Sequence, residues 1–267
     1  MVMAKDSKAE PIIEIRDVAK VFESTTASRV TALEGCSLNI HDGELVGLVG
    51  PSGCGKSTLL NLISGLDDIS GGEILVEGEK VTEPRKIGYV FQQDTLLPWR
   101  NVRGNAEFAL EINGMEKAER WEIAAEWLNK LGLGDFYDHY PHQLSSGMRK
   151  RLQLASVLST GPNILLMDEP FGPLDAQTRT LIEDDFLKLW SEAGMTVMFV
   201  THDLAEAIAM CTRVVIITAR PGKVKSEYDI NLPSELSTTD RRMAPGYQDL
   251  FTSIWADLRE EVGTQLG

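Results

Sequence analysis

One stretch constrains the chain more than any other: Gly50-Pro51-Ser52-Gly53-Cys54-Gly55-Lys56-Ser57-Thr58. It follows Glu44 to Val49, an apolar run that reads as a buried strand, and precedes Leu59 to Ile63, which continues a helix. Strand, glycine-rich loop, Lys-Ser and helix, in that order, form the context of a phosphate-binding loop. Backbone N–H groups of such a loop wrap an anion. The new helix adds unpaired N–H groups and the positive end of its dipole. Lys56 is placed to reach terminal phosphates, and the Ser57 hydroxyl to ligate Mg²⁺. A chance Gly-rich turn would not bring both flanking elements with it. The stretch therefore specifies a nucleoside triphosphate site.

At 267 residues the chain has room for one large domain, or a domain and a subdomain. Its formal charge of −14 argues against non-specific nucleic-acid binding, which needs a basic footprint. No nucleic-acid partner is expected. Cys36, Cys54 and Cys211 are odd in number, widely spaced and without metal-ligand spacing. They read as reduced thiols of a cytosolic protein. Met1 to Pro11 is polar and charged, lacks the apolar core of a signal peptide, and is expected to be a disordered tail (1–11). No apolar run approaches the ~18 residues of a membrane span, so a membrane role must pass through a partner.

Taken in order, Ile12 to Val18 reads as a first strand, with Phe22 just beyond it and a Ser/Thr-rich loop from Glu23 to Arg29. Leu33 to Ile40 and Glu44 to Val49 are strands around a His41-Asp42-Gly43 turn. The loop helix ends near Gly65. Gly71-Gly72 reads as a turn before an alternating strand, Glu73 to Glu77, and Ile87 to Phe91 as a short strand ending at Gln92. From Asn101 the pattern is helical, with Trp121, Ala124, Ala125, Leu128 and Leu131 on one face. Ser145 is placed to cap the next helix. Ile164 to Asp168 and Thr196 to Val200 are buried strands, with a helix from Asp175 to Ala193 between them, and Val214 to Ile217 is a last apolar strand. The chain then turns polar until a terminal amphipathic helix, marked by Tyr247, Leu250, Phe251, Ile254, Trp255, Leu258 and Val262, which is expected to pack on the chain's own surface.

A phosphate loop needs a second strand that ends in acids, and Asp168-Glu169-Pro170 supplies it. Asp168 is placed to hold Mg²⁺, directly or through water. Glu169 is placed beside the attacking water as a general base.

The ordered set of motifs resembles the ATP-binding subunit of an ABC transporter over roughly residues 12–218. Gly50, Pro51, Ser52, Gly53, Cys54, Gly55, Lys56, Ser57 and Thr58 match Walker A. Gln92 matches the Q-loop glutamine, a metal contact, and Leu144-Ser145-Ser146-Gly147-Met148 matches the signature. Ile164 to Glu169 matches Walker B with its catalytic glutamate, and Gly172 to Asp175 matches the D-loop. His202 matches the switch histidine, and Phe22 the aromatic residue that stacks on adenine. The resemblance implies an α/β fold. It has a P-loop NTPase core (RecA-like mixed sheet), an antiparallel β flank and an α-helical subdomain. Its boundaries are an ABC ATPase domain at 12–220, the helical subdomain at about 101–160, and an extension at 221–267 with the amphipathic helix.

It also implies ATP and Mg²⁺ as cofactors, Ser57, Gln92 and Asp168 as metal contacts, and Glu169 and His202 as catalytic residues. A second copy supplies the signature in trans, head to tail, and membrane permease subunits are the working partners. A periplasmic or lipid-anchored solute-binding protein takes part indirectly. The expected location is the cytoplasmic face of the inner (plasma) membrane, as a peripheral subunit. Leu96-Leu97-Pro98-Trp99 and Arg220-Pro221-Gly222-Lys223 resemble the branch that imports nitrate, sulfonates, taurine or bicarbonate. The alternatives are an exporter motor or a soluble, non-transport ABC ATPase. Ser146 and Ser156 depart from the family's usual glycine and arginine. Cys54 is best explained as the filler of a small-residue position; its place at a helix start also tends to lower the thiol pKa, so alkylation of Cys54 is expected to block ATP binding and ATP to protect it.

Overall fold

In the computed structural model, residues 10–23, 29–84 and 87–266 are described. Most of the expected N-terminal tail (1–9) and of the Ser/Thr-rich loop (24–28) lies outside them. The chain begins β1 (Ile13–Glu23), β2 (Arg29–Ile40), β3 (Leu45–Val49), α1 (Lys56–Ser64), β4 (Gly71–Val76), β5 (Glu79–Lys80) and β6 (Gly88–Val90). A helical stretch follows: α2 (Val102–Ala106), α3 (Phe108–Ile112), α4 (Lys117–Lys130) and α5 (Ser146–Leu158). Then come β7 (Ile164–Asp168), α6 (Ala176–Ala193), β8 (Thr196–Thr201), α7 (Leu204–Met210), β9 (Arg213–Ile217), β10 (Val224–Asp229), α8 (Thr238–Met243) and α9 (Tyr247–Leu266).

Two sheets form. One is antiparallel, in the order β2-β1-β4-β5. The other has the order β10-β9-β3-β8-β7-β6, parallel throughout except for β10. The parallel strands read as apolar runs because both faces are covered. Alternation along each strand splits the core in two. Leu45 and Val49 of β3, Leu165 and Met167 of β7, and Val197 and Phe199 of β8 pack toward the α5–α6–α7 side. Val46, Leu48, Leu166, Met198 and Val200 face the other way, against α1 and the antiparallel sheet.

The structure departs from the sequence reading in three places. Gly71 and Gly72 begin β4 instead of forming a separate turn. Gly72 has φ +79°, and a Cβ there would lie 2.4 Å from the Asp17 carbonyl, so glycine lets β4 cross β1 where β1 bulges. β1 runs on through Phe22, longer than its apolar segment. The polar stretch after Gly222 holds β10, which pairs with β9 and so extends the core sheet. The terminal helix packs on the chain as expected, with Ile254 and Leu258 buried.

Candidate nucleotide site

Four functional segments leave the carboxyl ends of neighbouring parallel strands: the phosphate loop after β3, Gln92 after β6, Glu169 after β7 and His202 after β8. They lie far apart in sequence, and the strand order gathers them along one edge, the usual ligand position of such sheets.

The loop is shaped by glycine. Gly55, the residue before α1, has φ +107°, and a Cβ there would meet Leu33 Cδ2 at 2.8 Å and the Ala32 carbonyl at 3.0 Å. No side chain caps α1, so its first turn keeps its donors for an anion. Lys56 is buried along the loop, with Nζ donating to the carbonyls of Gly50 (2.8 Å) and Pro51 (3.0 Å). Ser57 Oγ donates to Asp168 Oδ1 at 3.0 Å. Burial raises the Asp168 carboxyl above its ordinary value. The Ser57 bond opposes this and the adjacent Glu169 charge adds to it.

Glu169 has φ +41°, in the left-handed region that a glutamate rarely occupies. Its N–H donates to the Val200 carbonyl (3.0 Å), which ties this backbone to β8. The carboxylate is thereby aimed away from the strand. Its Oε2 accepts from Gln92 Nε2 at 3.1 Å and lies 3.2 Å from His202 Nδ1. The three side chains that sequence reading singled out on separate strands therefore meet at one oxygen. Above them lies a cavity of about 300 Å³. Its walls include Phe22, Ser52, Lys56, Gln92 and Glu169, together with Arg220. Phe22 is exposed on β1, with Lys20 Nζ 4.9 Å from its ring centre.

The signature segment is separate from this cavity lining. Leu144 is buried, and Ser145 caps α5, its Oγ accepting from Met148 N–H at 3.3 Å. Ser145 and Ser146 are exposed, so the serine that departs from the usual glycine meets no packing obstacle. Gly147 is buried, and a Cβ there would sit 2.6 Å from Thr178 Cγ2 of α6. Ser156 Oγ donates to the carbonyls of Leu152 (2.9 Å) and Asn105 (3.2 Å), joining α5 to α2. Asp175 caps α6 by accepting from Thr178 N–H at 3.0 Å.

Cys54 overturns the expectation of a lowered thiol pKa and agrees with the small-residue reading. Its side chain is buried, and burial raises its thiol pKa despite the neighbouring Lys56 charge. It fills space beneath the loop, and its burial disfavours the thiolate. Arg220 was the residue missed. Its Nε and Nη2 both donate to the Gly53 carbonyl, at 3.1 and 2.8 Å. Its Arg-Pro-Gly context was visible, but nothing in the sequence placed it beside the loop.

A P-loop NTPase core with a capped signature helix on a helical flank defines an ATP-binding cassette. The chain belongs to the ABC transporter family, whose pattern matches residues 33–172. An uncharacterized ABC transporter ATP-binding protein of Methanocaldococcus jannaschii is 45% identical over 221 residues, covering 82% of each chain. The nitrate import ATP-binding protein NrtD of Synechocystis is 42% identical over 231 residues, 86% of each. The taurine import ATP-binding protein TauB of Escherichia coli is 45% identical over 201 residues, 75% of this chain and 79% of its own. A solved dimeric bacterial ABC transporter cassette superposes with TM-score 0.73 at 35% identity, covering 82% of this chain and 99% of that one. Its post-hydrolysis state with ADP and phosphate also scores 0.73, at 34% identity.

Proposed function

We propose that this chain is the ATP-hydrolysing subunit that energises import of a small solute through a partner permease, the solute being nitrate, a sulfonate, taurine, bicarbonate or similar. One observation carries the hydrolytic assignment: the Glu169 carboxylate, held out in a left-handed backbone, meets Gln92 and His202 at the mouth of the phosphate-loop cavity. Glu169 orients and deprotonates the attacking water, and His202 steadies the terminal phosphate. Lys56 turns from the loop carbonyls to the phosphates, and Phe22 stacks on the adenine. The oxygen donors Ser57 and Asp168 fit a hard divalent cation. Among the described residues no group of three or more His, Cys, Asp or Glu is placed to hold a metal by itself. That suits Mg²⁺, which keeps phosphate and water ligands. When bound it supplies charge neutralisation at the phosphates, with Gln92 beside it.

Two copies assemble head to tail, so that Leu144 to Met148 of one faces the loop of the other and Asp175 lines the seam. The permease docks at the exposed Trp99 (72% accessible), beside Leu97, whose N–H and C=O are both held by the buried Asn105. Among the described residues no helix is long and apolar enough to cross a membrane. A peripheral place on the inner face of the membrane, reached through the permease, follows from this reading, with the solute-binding protein delivering from the far side. We read 12–220 as the ATPase domain, its helical subdomain at about 101–160, and 221–267 as an extension. Purification of the chain from its own membranes tests all of this. A polytopic membrane protein should copurify, and the complex should hydrolyse ATP in response to its solute. An assembled complex without ATPase activity would sink the reading.

A further inference from the structure

The phosphate loop is braced from outside by the segment between β9 and β10. Arg220 places two donors on the Gly53 carbonyl. Gly222 lies so close behind the loop that a Cβ would stand 2.1 Å from the Cys54 carbonyl. Gly222 is itself held by β2, donating to the Ala32 carbonyl (2.8 Å) and accepting from Glu34 N–H (3.2 Å). The other end of the segment is held by the terminal helix: Glu261 Oε2 of α9 accepts from Ala219 N–H at 2.9 Å, and Glu261 Oε1 lies 2.9 Å from Lys225 Nζ. Asp257, one turn earlier, takes bonds from Ser226 and Tyr228 of β10.

We propose that Arg220 is a positioning residue of the phosphate loop, set in place by the C-terminal helix through Glu261. The inference rests on reading the cavity as the ATP site. Gly53 is left-handed (φ +72°), a conformation in which a glycine peptide swings easily. A trans peptide is planar, so fixing the Gly53 carbonyl also fixes the Cys54 N–H, which points to the Pro51 carbonyl at 3.3 Å. Arg220 thus holds the turn that presents the loop to phosphate, and its guanidinium adds positive charge to the cavity wall. A displacement of α9 at Glu261 releases Ala219 and loosens that hold. This gives the extension a route to the ATP site.

The test uses the full chain with Arg220→Ala, Arg220→Lys and Glu261→Ala, and Glu260→Ala as a control that removes the other carboxylate on Lys225 (2.6 Å) but leaves Glu261 on Ala219. Amide hydrogen exchange across residues 50–58 is measured without nucleotide, and ATP affinity by titration. A charged donor pair, discounted for solvent exposure, corresponds to about a fivefold change. Arg220→Ala should speed loop exchange and weaken ATP by that factor, with kcat within about twofold of wild type on the same scale. Arg220→Lys should recover part of the loss, Glu261→Ala should shift both readouts less than Arg220→Ala, and Glu260→Ala should match wild type. Unchanged exchange in Arg220→Ala overturns the brace whether or not ATP binds. A fall in kcat at constant ATP affinity overturns it too, since Arg220 then acts on the reaction itself. If Glu261→Ala behaves as Glu260→Ala does, the link to α9 is wrong. Faster exchange in Arg220→Ala with no ATP binding even in wild type upholds the brace and refutes the ATP reading. Should Arg220→Ala fail to fold, Arg220→Lys and Glu261→Ala decide.

Discussion

Two helix starts in this chain are built to opposite rules. α1 begins at a left-handed glycine with no side-chain cap, and its buried Lys56 is turned onto the loop's own carbonyls. α5 begins at Ser145, which caps its own helix, and presents two exposed serines to solvent. The first end leaves its donors open toward a cavity within the subunit. The second satisfies one donor internally, and none of its residues lines the cavity beside α1. The contrast teaches that the same physical device, a helix N-terminus, can be built open or closed. On the function proposed above, the α1 end binds phosphate and the α5 end completes a site that another copy carries.

Lys56→Ala should break the α1 end outright. ATP binding and phosphate release should both be lost, hydrolysis by about a thousandfold, since the loop's buried cation is gone. Glu169→Gln should separate the two ends: ATP affinity survives, hydrolysis falls by about a hundredfold or more, and light scattering shows a dimer that persists with ATP. An Glu169→Gln chain that stays monomeric with ATP would break the two-copy account of α5.

Gly147→Ala tests why the α5 start contains a glycine. The added Cβ meets Thr178 Cγ2, so thermal unfolding should report a loss of about 1–3 kcal/mol, as overpacking does. Adding Thr178→Ser should recover most of it, while ATP binding at α1 stays as in wild type. An equal loss with and without Thr178→Ser would place the need for glycine elsewhere.

A pH effect concerns a carboxyl that belongs to neither end. Glu206 of α7 is buried, bonded to Thr201, and close to Glu183 and Asp203, while Arg179 and Arg242 act on Glu183. Burial, reinforced by the Glu183 charge, pushes its pKa from the ordinary 4.5 up to about 8. The unfolded chain loses this proton near 4.5 and the folded one near 8. Between those values the folded state holds the extra proton, so stability falls as pH rises, by at most about 1.4 kcal/mol per pH unit, and levels off above the window. Glu206→Gln should flatten the profile of denaturant midpoints between pH 5 and 8, within about the same bound, and leave ATP affinity unchanged. A profile that keeps its slope would assign the pH dependence to other groups.

Much of the site was legible because its signals are local. The glycine spacing around Lys56, the caps at Ser145 and Asp175, and the apolar runs ending at Asp168 and Val200 each express preferences acting over a few residues. β10 was missed because its polar residues carry little strand pattern, and its pairing with β9 decides its form. The direction of the Cys54 pKa was misread because a helix start argues for a thiolate, and only the packing beneath the loop reveals the burial that outweighs it.

The sequence by itself determined the class of protein and singled out most of the residues that the fold gathers around the phosphate loop, since a phosphate loop and an acid-ended strand are local designs. Tertiary structure alone decided that Gln92, Glu169 and His202 meet at one carboxylate oxygen. It alone set Arg220 on Gly53 and buried Glu206 in the core. Those placements follow from strand order and helix docking, which are fixed by the burial of apolar faces from distant parts of the chain and leave no trace in the spacing of neighbours.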